Sequence, residues 1–404
     1  MLSHFFSWPG LGILSVTFLC LATLVYFYAT RIDTSLMLHG NVASRVCAGK
    51  NFSERYNCWN TILSQEIAED RIIDALDQLS FFSKESPDFI SVCHTLAHRV
   101  GEQAYKDFKA GKTMQSSLAM QVCDFGFYHG FMTEFLTESR NYTEVGNFCA
   151  AMQIGEYDGE KSSSREACFH GIGHGSVISH DPEDWKNPLV ILRQALVVCH
   201  SAAQNQKDFL KCAGGAYNGM AYGPYEKQIN PTDPFNICRE VTKEDSPVDC
   251  YANLASTVFN RTPDKDIREA IDLARPYTPS EYLVRIIPTF ANMAARQEDS
   301  MQRSVKTCLG LYRDQRAACL GGFVSGLVQS GVPEAKEKRA YSFCASDVLP
   351  DEERVSCFTT AFDVLTNFWS EQKIKESCLL IPSNSAKACN TAFTAWRAVQ
   401  REIK

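Results

Sequence analysis

The chain has 404 residues, enough for two average domains or one extended repeat array, and its 45% hydrophobic content is that of a folded protein. With 40 Lys plus Arg against 47 Asp plus Glu it carries a formal charge of −7. That balance, with no basic stripe interleaved with aromatics, excludes a nucleic-acid footprint.

The first element is apolar. From Phe5 to Ala29 no charged side chain occurs, and LGILSVTFLCLATLVYFYA is about the length that crosses a bilayer as a helix, roughly 20 residues. The apolar part of a cleaved signal is shorter, about 7 to 15 residues, and ends in small side chains; this one ends in Tyr26, Phe27 and Tyr28. Residues 1–30 are therefore expected to be a signal-anchor transmembrane segment, residues 31–44 a stalk, and residues 45–404 an extracytoplasmic disulfide-rich domain of a single-pass membrane protein.

Cysteine sets the compartment. Cys20 lies in the apolar span, which leaves sixteen of the 17 cysteines in the body, an even number suited to complete pairing. In chain order the expected couples are Cys47 with Cys58, Cys93 with Cys123, Cys149 with Cys168, Cys199 with Cys212, Cys238 with Cys250, Cys308 with Cys319, Cys344 with Cys357, and Cys378 with Cys389. Six of the eight enclose only 10 to 12 residues, whereas zinc hooks use a much tighter C-x2-4-C spacing. Disulfides are the better reading. They require an oxidising compartment: the ER or Golgi lumen, the cell surface, or a bacterial periplasm. Sequons at Asn51, Asn141 and Asn260 fit a glycoprotein in the first two.

Aligning the chain on the second cysteine of each couple exposes a shared phrase. CDFGFYHG at Cys123, CFHGIGHG at Cys168, CAGGAYNG at Cys212 and CLGGFVSG at Cys319 all obey C-x-x-G-x-x-[HNS]-G, and weaker copies begin at Cys250 and Cys357. Several units recur at about 38 to 45 residues, a period typical of stacked helix pairs. Between the couples, PLVILRQALVVC, DIREAIDLA and SEYLVRIIPTFANMAARQ place apolar residues at helical three and four spacing. Within the couples, AGKNFSERYN, REVTKEDSPVD and LLIPSNSAKA are polar or proline-bearing and read as loops. The expected fold class is all-α, a helix-pair repeat array of solenoid or α/α toroid-like form, stapled by disulfides and preceded by one transmembrane helix. Each glycine within a helix costs about 1 kcal/mol against alanine, so close helix contact or a site must offset it.

Seven of the nine histidines lie between residues 94 and 200. His94, His98 and Glu102 are each four apart and share one helix face. His129 and His174 occupy the same variable position of the repeat phrase, with His170 one turn before His174 and Glu134 about one turn after His129. The corresponding residues in other units are Asn218, Ser256 and Ser325. Imidazoles delivered from three helices are what a metal site requires. His94, His98, His129, His170 and His174 are therefore the expected ligands of a divalent cation, zinc first, with copper or iron as alternatives. Glu134 and Glu102 are the expected catalytic carboxylates, as ligand or base.

The function these features point to is metal-dependent catalysis, hydrolytic or oxidative, on a secreted or membrane-delivered substrate. The alternative is a non-enzymatic helical-repeat scaffold that binds a protein partner and whose histidines are structural, since repeat arrays commonly supply binding surfaces. No H-E-x-x-H helix, G-x-S-x-G elbow, Walker loop or dinucleotide fingerprint in a strand context occurs.

Overall fold

The computed structural model describes residues 47, 51–86, 89–112, 118–152, 156–157, 160–161, 164–180, 183–222, 233–297, 301–330, 336–381 and 383–403. Seventeen α-helices occur among them, with short 3₁₀ turns and one two-residue antiparallel pairing, Glu156–Tyr157 with Glu160–Lys161. The chain divides into two compact units, Met1–Gln65 and Glu66–Lys404. The expected membrane segment and stalk lie outside the described residues. Among the described residues no helix is long and apolar enough to cross a membrane.

In the first unit the described residues are Cys47 (bonded to Cys58), Asn51 and most of α1 (Phe52–Ala68). This helix starts inside AGKNFSERYN, whose polar composition suggested a loop. Asn51 Oδ1 accepts from the Glu54 amide at 3.0 Å, and Glu54 Oε2 accepts from the Asn51 amide at 3.3 Å. That reciprocal capping box satisfies two orphan donors and turns a polar stretch into a helix start.

The second unit begins with α2 (Ile72–Glu85) and α3 (Ile90–Lys109), followed by α4 (Gly126–Glu138) and α5 (Tyr142–Ala151). Next come α6 (Ser164–Ile178), α7 (Pro188–Ala202), α8 (Gln206–Tyr222), α9 (Pro247–Arg261), α10 (Ile267–Ala274) and α11 (Ser280–Ala295). The last are α12 (Met301–Leu309), α13 (Arg313–Gln329), α14 (Glu337–Cys344), α15 (Asp351–Leu365), α16 (Glu371–Ser377) and α17 (Ser383–Ile403). Local chemistry sets several starts: Asn141, Asp266 and Ser370 cap α5, α10 and α16 with side-chain oxygens. Pro188 and Pro247 open α7 and α9, where a missing amide proton costs nothing. LLIPSNSAKA is likewise shorter as a loop than its composition suggests, because α17 begins at Ser383.

Packing follows a regular order. α3, α4, α6, α8, α9, α11, α13, α15 and α17 each contact the next in that sequence, and α5, α7, α10, α12 and α14 each back the helix that follows them. The sulfurs of all eight expected couples lie at bonding distance, with Cα–Cα separations of 5.2 to 5.8 Å, inside the usual disulfide range. Four of the eight bridges join a backing helix to the helix behind which it lies, as Cys199–Cys212 joins α7 to α8. Where the sequence leaves twice the usual spacing, between Cys250 and Cys319, α10 and α11 pair without a bridge, and α11 packs between α9 and α13.

Candidate metal centre

Glycine brings the site together before any histidine does. A Cβ at Gly126 would stand 2.5 Å from the His94 carbonyl oxygen, and one at Gly130 would overlap the His98 carbonyl oxygen outright. The backbone of α4 therefore lies directly on the α3 turns that carry His94 and His98. In the same way α6 lies on α4: a Cβ at Gly171 would stand 2.7 Å from the Tyr128 carbonyl oxygen, and one at Gly175 2.9 Å from the Thr133 amide nitrogen. Contacts this close exclude any side chain at these positions, and they draw His129 and His174 onto the histidines of the neighbouring helix.

Three imidazole nitrogens converge. His94 Nδ1 lies 2.9 Å from the Cys123 carbonyl oxygen, which only accepts, so Nδ1 carries the proton and Nε2 presents a lone pair. His98 Nε2 lies 3.1 Å and His129 Nδ1 3.2 Å from His94 Nε2. One ligand atom from each of the three residues falls within 4.8 Å of the others, so His94, His98 and His129 form a group that could hold a metal ion. Nitrogens bound at 2.0 to 2.1 Å in a tetrahedral sphere would stand about 3.3 Å apart, close to the two spacings seen. The His94 bond to Cys123 is the second-shell contact that fixes a ligating imidazole's tautomer.

His174 and His170 complete a cluster of five rings without joining the converging group. The His174 ring stacks on His129 with centroids 4.1 Å apart and lies 5.5 Å from His98; His170 lies 5.1 Å from His129. His129 and His174 are 2% and 3% exposed, and His129 Nε2 and His174 Nδ1 have no hydrogen-bond partner among the described residues. Unpaired buried nitrogens are costly, and ordered water or a bound ion is the ordinary remedy.

The electrostatics keep four of the rings neutral. Burial, then the neighbouring imidazoles, holds His129 and His174 well below the ordinary histidine value. Burial followed by His94 brings His98 to about 3, and burial followed by Lys211 brings His170 to about 4. Neutral imidazole is the ligating form, so these four rings need lose no proton to bind an ion at neutral pH.

Glu102 and Glu134 stand outside the converging group. They are close enough to each other that burial first, and the Glu134 carboxylate second, raise the Glu102 carboxyl above its ordinary value, against the pull of Lys106 and Arg99. The hydroxyls of Ser256 and Ser325 bond the Asn253 and Gly321 carbonyls of their own helices. The positions aligned by the shared cysteine–glycine phrase thus carry imidazole in α4 and α6 and locally satisfied groups in α9 and α13. His200 pairs with Asp245 at 2.9 Å and stacks on Phe209, and half-buried His180 lies 3.5 Å from Asp184. Neither joins the cluster.

Two features beside the site have no counterpart in the sequence reading. Cys123, Asp124 and Phe125 all have positive φ, between 52° and 62°. A left-handed run of non-glycine residues costs on the order of 1 to 2 kcal/mol each and turns the Cys123 carbonyl onto His94. Asp124 in turn pairs with Arg296, at the end of α11, across 172 residues. No spacing rule reports such a contact. No family model matches the chain, and neither does any curated protein or solved structure.

Proposed function

We propose that the chain is a membrane-anchored, extracytoplasmic metal-dependent enzyme whose centre is His94, His98 and His129. The observation that carries this reading is the convergence of three imidazole nitrogens, two of them 3.1 and 3.2 Å from the third. Three protein ligands with a fourth position open is the arrangement of catalytic rather than structural zinc, and the all-nitrogen donor set also suits copper or iron. A cation there would supply Lewis acidity and lower the pKa of a coordinated water. Glu102, with its raised carboxyl, is the residue best suited to hold or move a proton beside the reacting group, with Glu134 as its partner. His174 and His170 wall the site by stacking on His129.

The ordered packing of α3 through α17, with a bridge at most backing helices, supports a helix-pair repeat in which one segment has become a site. The bridged cysteines support an oxidising compartment. An uncleaved anchor at residues 1–30 and glycans at Asn51, Asn141 and Asn260 belong to the same proposal, as does a secreted or membrane-delivered substrate.

Elemental analysis of the purified full chain tests it, with His98→Ala and His129→Ala beside the parent. The expected result is about one equivalent of a divalent transition metal per chain, lost in both variants while the fold persists by circular dichroism. A metal-free parent with an intact fold would support the scaffold reading instead.

A further inference from the structure

The Asp124–Arg296 pair sits at the edge of the candidate centre. Asp124 follows Cys123, whose carbonyl holds His94, and its carboxyl lies within electrostatic reach of the His94 ring. The guanidinium of Arg296 is fixed on three sides: Nη1 donates to Asp124 Oδ2 at 2.9 Å, Nε to Asn292 Oδ1 at 3.2 Å and Nη2 to Gln329 Oε1 at 3.2 Å. Asn292 Nδ2 bonds the same Gln329 oxygen at 2.9 Å, which locks both acceptors in place. Guanidinium has five N–H donors. Two of them have no acceptor among the described residues.

Both side chains reach solvent, 41% exposed for Arg296 and 49% for Asp124. Yet desolvation is the largest influence on the Asp124 carboxyl, and it falls below its ordinary value only because Arg296, His94 and Lys336 outweigh that. The Asp124 carboxylate feels both Arg296 and Lys336, whose ammonium also lies 4.3 Å from the Phe368 ring centroid. Tyr222 also faces Arg296.

We propose that Arg296 is a substrate-anchoring residue, and that the substrate carries an oxyanion, carboxylate or phosphate, which the two remaining N–H donors receive beside the histidine centre. A planar fork held by Asn292, Gln329 and Asp124 is preorganised for bidentate recognition of such a group. Asp124 both holds the fork and competes with the ligand for it. The proposal rests on the metal-centre reading for its catalytic meaning, but the anchor itself is separable from the ion.

The test is calorimetric titration of the full chain in detergent with inorganic phosphate and, separately, succinate, on metal-loaded and metal-free protein. Arg296→Met is expected to weaken the preferred anion by at least about tenfold, the loss of a charge-assisted pair of bonds. Arg296→Lys, which keeps the charge and loses the fork, should fall between and serves if the first variant fails to fold. Asp124→Asn should tighten the anion by about threefold or more, since it removes the competing carboxylate. Which of the two anions binds distinguishes phosphate from carboxylate substrates. Opposite signs for the two positions are what a merely structural ion pair would not produce. A parent chain that binds neither anion, or an Arg296→Met chain that binds as well as the parent, overturns the proposal. Anion binding that persists without metal, in a chain that takes up no metal, leaves the anchor standing and removes the metal reading alone.

Discussion

At the scale of single residues, the site is built by side chains that are missing as much as by those present. Gly130→Ala would drive a methyl group into the His98 carbonyl of a neighbouring helix. Overpacking against backbone, which cannot swing aside, should cost about 3 kcal/mol or more in thermal unfolding and loosen metal binding with it. Gly214, on the same class of helix, has nothing within 4 Å of the position its Cβ would take. There alanine removes only a helix penalty, so Gly214→Ala should stabilise by up to about 1 kcal/mol. An equal response at the two positions would contradict the close-contact role given to Gly130. Much of this was legible in the sequence, because glycine recurring at four-residue spacing inside helical periodicity needs a contact to justify it. Which carbonyl each glycine meets was not legible, since that depends on helix order in space. The same limit applies to the histidines. Their spacing on α3 and the shared repeat position of His129 and His174 pointed to a common space, but not to the division into three converging rings and two stacking ones.

At the scale of elements, the bridges hold stretches of different length, and their consequences should differ by place. Removing Cys308 and Cys319 as a pair of serines should cost about 2 to 4 kcal/mol in chemical denaturation and leave metal content unchanged, because α12 and α13 carry none of the five imidazoles. Removing Cys93 and Cys123 should in addition weaken metal binding by about 10- to 100-fold. That bridge anchors the left-handed turn whose carbonyl orients His94. Equal metal affinity in the two double variants, read by competition with a chromophoric chelator, would detach the turn from the site. The couples themselves could be read from local spacing, since short loops between cysteines bring the ends together with little entropy to lose. The left-handed run from Cys123 to Phe125 could not. None of those residues is glycine, and tertiary contacts override their backbone preference. Loops were overextended for a related reason: Asn51 with Glu54, and the serines opening α17, read as polar linkers although they begin helices.

At the scale of the whole molecule, four of the clustered histidines tie stability to pH. Their folded values lie below the ordinary value of about 6.5, with His98 near 3, His170 near 4, and His129 and His174 well down. Below pH 6.5 the unfolded chain therefore takes up protons that the folded metal-free chain refuses. The stabilisation is complete above that pH and is lost as pH falls toward the folded values. Each group adds up to about 1.4 kcal/mol per pH unit to the slope. Denaturation midpoints of metal-free protein between pH 7.5 and 5 should show this decline, and His170→Gln should flatten it; an unchanged slope would mean the rings are already protonated in the fold. Contacts such as Arg296 with Asp124 also belong to this scale, and no reading of one segment at a time could have found them.

X-ray absorption at the metal edge of the zinc-loaded full chain tests the central claim most directly. Convergence of His94, His98 and His129 predicts a first shell at about 2.0 to 2.1 Å with the outer-ring scattering of three imidazoles, falling to two in His98→Ala. A chain that takes up no zinc, or whose zinc shows no imidazole scattering, would contradict it.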